Sequence, residues 1–293
     1  MNALADSAAV PVSGLRSPVR MHAGLLLVPA ILIYAVLFVW PLLVSTRTSF
    51  APHGHLSLET YTRFFEDEFY RSVLWRSMRI SAVTTLATLI IGYPVAVFLS
   101  QNWRRGRSLV VFLVIAPMFV SAVVRSYGWI IILGPNGILS QMFHAIGLPV
   151  RHLLYTETGV IIALTHVFLP FMVISLVGSL QQIDPALPRA ARSLGANGFS
   201  VFTRITLPLS LPGVTAGSVI VFCLAASGFV TPALVGGASV PVMPYLVYKE
   251  GLLVLNWPFA SAVALILLVA TALVTAVYTF FVREGSRRRR IVR

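Results

Sequence analysis

Residues 205–248 run for 44 positions without a formally charged side chain, and shorter uncharged apolar stretches recur along the rest of the 293-residue chain. One soluble core cannot hide that much apolar surface, whereas a bilayer accepts a helix of about 20 such residues. In lipid each backbone N–H and C=O must be satisfied within the protein, so these runs imply helices. Only 11% of residues are charged and the mean hydropathy is +0.88. Because the apolar character extends over the whole length, a soluble domain on a single anchor is excluded. The chain reads as an all-α integral membrane protein.

Charges mark the edges of the spans. Residues 23–46, 80–103 and 158–183 lie between them and are each long enough for one crossing. Another span fits 258–282. In the long uncharged run, Pro208 and Pro212 on one side and Pro232, Gly236, Gly237, Pro241 and Pro244 on the other leave a span at 213–235. The segment from Ser108 to Val124 is short, and continues past Arg125 through Trp129 to Leu133, before Gly134-Pro135-Asn136-Gly137 breaks it. That makes six transmembrane helices. Ile138, Leu139, Met142, Phe143 and Ile146 then form a helical stripe too short to span, expected in the interface. Asp6 interrupts any leader, and the first apolar run exceeds that of a signal peptide, so the first span is expected to be retained. The expected layout is a tail at 1–22, a six-helix domain at 23–282 and a basic tail at 283–293.

Even parity puts both termini on one side. The tails together with the second and fourth connections carry 14 basic residues and Asp6, Asp184 and Glu284, a net +11. The remaining connections and span edges carry eight basic residues and six acidic, a net +2. Cytoplasmic loops are the arginine-rich ones, which places both termini in the cytoplasm. The overall charge of +13 thus serves orientation in a bilayer and gives no ground for a nucleic-acid partner. Cys223, the lone cysteine, has no intrachain partner for a disulfide or a metal pair.

Two connections reach about 30 residues: 47–76 outside and 181–212 inside. Inside, Asp184-Pro185-Ala186-Leu187-Pro188-Arg189-Ala190-Ala191-Arg192-Ser193-Leu194-Gly195 reads as a short helix, with prolines suited to its start and Gly195 to its C-terminal cap. Further on come Ile205, Leu207 and Pro208. These residues resemble the signature of the permease subunits of bacterial ABC importers: Glu-Ala-Ala, a leucine-glycine step, then an isoleucine and Leu-Pro. Ala190, Ala191, Leu194, Gly195, Ile205, Leu207 and Pro208 match, while Arg189 stands where the family has glutamate. The resemblance implies the type I ABC importer permease fold and a coupling helix that docks in a groove of a separate ATPase subunit. It further implies an ATPase homodimer holding ATP and Mg, a second homologous permease and an external solute-binding protein. Phe229-Val230-Thr231-Pro232-Ala233-Leu234-Val235-Gly236-Gly237, Asn256-Trp257-Pro258-Phe259 and Leu169-Pro170-Phe171-Met172 resemble the spermidine/putrescine-type permeases, a group that extends to phosphonates and opines.

The chain itself carries no enzyme chemistry. Lys249 is its only lysine and lies in no glycine-rich turn, so a P-loop is absent. Neither HExxH nor GxSxG occurs. Tyr127, Trp129, Tyr245 and Trp257 sit near the expected outer mouth and are candidates to line a cation path, with interfacial anchoring as the alternative. His166, inside the fourth span, is either a path residue or a neutral histidine hydrogen-bonded within the bundle. Arg79 and Arg125 are expected to snorkel to the outer interface. Gly92, Gly178, Gly217 and Gly228 permit close helix contact. The competing reading, a secondary transporter or channel working without ATP, calls for inverted repeats and charges at the midplane, and the sequence has neither.

Overall fold

The computed structural model describes residues 28–29, 31–52, 55–101, 106–145 and 152–291. The tail 1–22, Trp103, Arg104, Arg105, Ile146 and Arg151 lie outside the described residues, as do the side chains of the basic tail 283–293. The chain divides into two units, Met1–Arg47 and Thr48–Arg293. In the first, the helix α1 (Ile31–Phe50) sets out with Ala35–Val39 in the wide π form and most of its described apolar side chains exposed. Ser49 and Phe50, at the end of α1, and every later element belong to the second unit.

Those elements are α2 (Glu59–Glu66), α3 (Glu68–Ser100), α4 (Arg107–Phe119), α5 (Ala122–Leu133), α6 (Ile138–Ala145), α7 (Glu157–Leu180), α8 (Ala186–Ser193), α9 (Gly198–Ser227), α10 (Met243–Tyr248) and α11 (Trp257–Ile291). Among the described residues six stretches are long and apolar enough to cross a membrane: α1, α3, Ala122–Met142, α7, α9 and the Trp257–Val282 part of α11.

The main core is made by α3, α7 and α9, which pack on one another. Along α3 the buried positions are Tyr70, Val73, Ser77, Ile80, Ser81, Thr84, Thr88, Gly92, Ala96 and Leu99, the spacing of one helical face. Most are small. Little water-exclusion force acts between helices in lipid, so small side chains and close backbones take over. The hydroxyls turn back on their own helix, Ser77 to the Val73 carbonyl at 2.8 Å and Ser81 to that of Ser77 at 2.7 Å. A Cβ added at Gly213 would lie 2.5 Å from Ser179 Cβ and 2.8 Å from the Ser175 carbonyl. At Gly217 it would lie 2.8 Å from Met172 Sδ, and at Gly92 3.3 Å from Met172 Cγ. Gly178, by contrast, faces open space, and Gly228 is the residue that ends α9.

A second, aromatic core joins α2, the start of α3, α10 and α11 through Phe64, Tyr70, Val73, Met243, Leu246, Phe259 and Val263. Tyr70 and Phe259 meet edge to face at 4.9 Å, and the Arg63 guanidinium carbon sits 4.4 Å above the Phe259 ring centre. Met243 donates its backbone N–H to Ser77 Oγ at 2.9 Å, tying α10 to α3.

Three span boundaries differ from the sequence expectation. The second helix begins at Glu68, capped by Asp67 Oδ1 accepting from Phe69 N at 2.8 Å. Arg76 and Arg79 are therefore inside it. Both donate to Glu157 at the start of α7, Arg76 Nε at 3.1 Å. The connection at 47–76 accordingly contains α2, on which Thr60 Oγ1 donates to the Ser49 carbonyl at 2.7 Å. The third expected helix is split. Beyond the tight turn Ala116–Phe119, which contains Pro117, Val120 and Ser121 leave helical geometry before α5 starts. The Arg125 guanidinium turns to the Pro117 carbonyl, so the break is satisfied from inside the protein. The fifth helix starts at Gly198 and ends at Ser227, earlier at both ends than 213–235. Its Phe202–Thr206 turn has the wide π form just before Pro208, where the missing N–H is accommodated.

Candidate functional site

The connection from α7 to α9 builds a projecting helix with both ends closed. Asp184 Oδ1 accepts from Ala186 N at 2.8 Å, and Pro185 supplies the fixed φ of a helix start. After Ser193 the chain reverses. Gly195 N bonds to the Arg192 carbonyl and Ala196 N to that of Ala191, each at 3.0 Å, with Gly195 at φ +85°. This is a left-handed C-terminal cap, which glycine adopts without cost. Two residues on, Asn197 Oδ1 accepts from Ser200 N at 2.8 Å and opens α9.

Ile205, Leu207 and Pro208, expected in a loop, thus stand on α9 itself. Only the turn Leu194–Asn197 separates α8 from a membrane-crossing helix. Below that turn Tyr93 OH and Ser210 Oγ are 2.7 Å apart, and the Tyr93 and Phe202 rings meet edge to face at 5.5 Å. These contacts fix the start of α9 against α3. The sequence gives no local sign of them, because Tyr93 and Ser210 lie 117 positions apart.

α8 is exposed along most of its length. Leu187, Ala190, Ala191 and Leu194 form its apolar stripe, and Leu194 and Phe199 are 88% and 77% exposed. Arg189 and Arg192 occupy the other side. Arg189 Nε donates to the Pro185 carbonyl at 2.9 Å.

The five path candidates differ in their surroundings. Trp129 and His166 meet edge to face at 5.5 Å. His166 Nδ1 is buried without a hydrogen-bond partner among the described residues, as are Arg125 Nε and Thr84 Oγ1. Trp129 and Tyr245 pack on the main core. Tyr127 and Trp257 are exposed, the latter at the start of α11.

Glu250 is a residue that sequence reasoning passed over as a loop acid. It is 5% exposed. Its signal was available: Met243, Leu246 and Glu250 are spaced as one helical face, and all three are buried.

Residues 88–286 match the family model of the binding-protein-dependent transport system inner membrane component. The chain is 38% identical over 255 residues to the spermidine/putrescine transport system permease protein PotB of Haemophilus influenzae, covering 86% of this chain and 87% of that one. To PotB of Escherichia coli K12 it is 35% identical over 256 residues, covering 84% and 92%. A crystal structure of a bacterial ABC transporter involved in import of the acidic polysaccharide alginate superimposes with a TM-score of 0.75 at 22% identity, over 92% of this chain and 96% of that one. With six membrane-crossing helices and a capped helix projecting from the bundle, the chain belongs to the binding-protein-dependent inner membrane components, the permease subunits of ABC importers.

Proposed function

We propose that this permease carries a small polycationic solute of the polyamine class, handed over by an external binding protein, and that it is driven through α8 by an ATPase homodimer bearing ATP and Mg. A second homologous permease completes the path, and both termini lie in the cytoplasm. The observation that carries the reading is α8: exposed, capped at both ends and one short turn from the membrane-crossing α9. A rigid helix so placed transmits a displacement to α9 because the turn has little freedom to absorb it. Arg189, Ala190, Ala191, Leu194, Gly195, Ile205, Leu207 and Pro208 form the coupling element, and ATP hydrolysis belongs to the partner. The 38% identity to a spermidine/putrescine permease supports the solute class. Selection rests mainly with the binding protein, while Tyr127, Trp129, Tyr245, Trp257 and His166 are the candidates for contact during passage.

The test is uptake of labelled spermidine by cells expressing the chain with its cognate ATPase, second permease and binding protein. Uptake that needs ATP and is displaced by putrescine is the expected result, with a C-terminal reporter active in the cytoplasm. Uptake that persists with a hydrolysis-dead ATPase supports the secondary-transporter alternative. Displacement only by an unrelated solute overturns the polyamine reading and leaves the coupling reading in place.

A further inference from the structure

α8 presents two faces that nothing in the described chain covers. Leu187, Ala190, Ala191 and Leu194 fall on one stripe at i, i+3, i+4 and i+7, and Arg189 and Arg192 lie opposite, both exposed. The one acid between residues 181 and 212 is Asp184, and its Oδ1 is engaged in capping Ala186 N. The helix therefore holds a cation in its first half, against its own dipole, with a like charge one turn away. No carboxylate pairs with either among the described residues. Arg189 is nonetheless oriented, because its Nε is held by the Pro185 carbonyl at 2.9 Å. That tether leaves both terminal Nη groups without a partner among the described residues. A guanidinium fixed by its inner nitrogen offers two parallel N–H donors end-on, the arrangement a carboxylate accepts with both oxygens.

We infer that, in the ATPase groove that receives α8, the wall opposite the side that meets Leu187 and Leu194 carries a carboxylate, where Arg189 engages it with Arg192 alongside. This rests on α8 being the coupling helix. Since the two faces are opposed, a flat partner meets only one of them. A lipid surface would take the apolar stripe and leave Arg189 without a specific acceptor.

The experiment uses the assembled transporter in nanodiscs and reads ATPase stimulation by loaded binding protein. Arg189→Glu is expected to lower the stimulated rate by about tenfold, with a smaller loss for Arg189→Gln. Among Asp and Glu to Arg substitutions around the ATPase cleft, one should restore the rate of Arg189→Glu while damaging the unsubstituted transporter. If Arg189→Glu fails to assemble, restoration of assembly by one member of that set supports the contact equally. Unchanged rates with both variants overturn it, and so does the absence of any restoring substitution. A rate governed by anionic lipid in the disc instead assigns Arg189 to the membrane. Leu194→Asp separates the two levels: if it leaves ATP-driven uptake intact, the coupling-helix reading itself fails. If it abolishes uptake while the Arg189 variants do not, only the charge contact is lost.

Discussion

Gly213 and Gly195 occupy the two regions on which this subunit depends, and they are glycines for different reasons. Gly213 sits where α9 presses on α7, so close that an added Cβ would lie 2.5 Å from Ser179 Cβ and 2.8 Å from the Ser175 carbonyl. It has an ordinary helical backbone. Gly195 has nothing within 4 Å of its would-be Cβ, yet its φ is +85°. The first position is set by space, the second by backbone conformation. In the core, therefore, the chain tolerates no added volume, whereas in the turn it tolerates volume and resists a change of chain direction.

Substitutions that exchange the two constraints break the comparison if it is wrong. The largest effect is expected from Gly213→Val, which forces α7 and α9 apart. Overpacking of this kind costs about 1–3 kcal/mol, and the measurement is the thermal midpoint and membrane yield of the purified complex, both of which should fall. Next is Gly195→Val. A β-branched residue in the left-handed region is strained by roughly 1–2 kcal/mol, so the cap misforms, and ATP-driven uptake should be lost while membrane insertion stays normal. Uptake at the level of the unsubstituted subunit would mean that the turn does not present α8. The smallest effect is expected from Gly195→Asn, since asparagine accepts positive φ and there is room for it. Most of the uptake should survive. Equal losses for Val and Asn would show that size, not conformation, matters at 195.

Much of this was legible in the sequence, and the parts that were not share a physical cause. Six helices follow from apolar length, and the cap at Gly195 follows from local chemistry that a short window contains. The errors arose wherever a residue's ordinary meaning is cancelled by a distant partner. Arg76 and Arg79 read as the edge of a span, but Glu157, 81 and 78 positions away, bonds to both of them inside a helix. Pro208 and Pro212 read as breakers, but the wide turn at Phe202–Thr206 loosens the hydrogen-bond ladder and α9 continues through both prolines. The reverse holds at Pro117, where a span that looked continuous is interrupted, with the Arg125 side chain bonded to the Pro117 carbonyl. Glu250 was hidden by proximity to Lys249, which made the pair look like an exposed loop. Among the path candidates, Trp129 and His166 meet edge to face although they lie on different helices, a contact that chain position does not announce.

The length of α3 has a thermodynamic meaning. Its 33 residues extend about 50 Å at 1.5 Å per residue, while the hydrocarbon layer is about 30 Å thick. The helix is therefore long enough for the end that carries Glu68, Arg71, Arg76 and Arg79 to reach headgroups and water, with the aromatic core of Phe64, Tyr70 and Phe259 beside it. That core is held by the hydrophobic effect, which weakens on cooling and in urea. Between α3, α7 and α9, lipid is the competing solvent, and the contact depends on van der Waals fit instead. One subunit is thus expected to show two melting behaviours. Cold and chaotropes should loosen the Glu68 end first, while changes in acyl-chain packing should be felt at Gly92, Gly213 and Gly217.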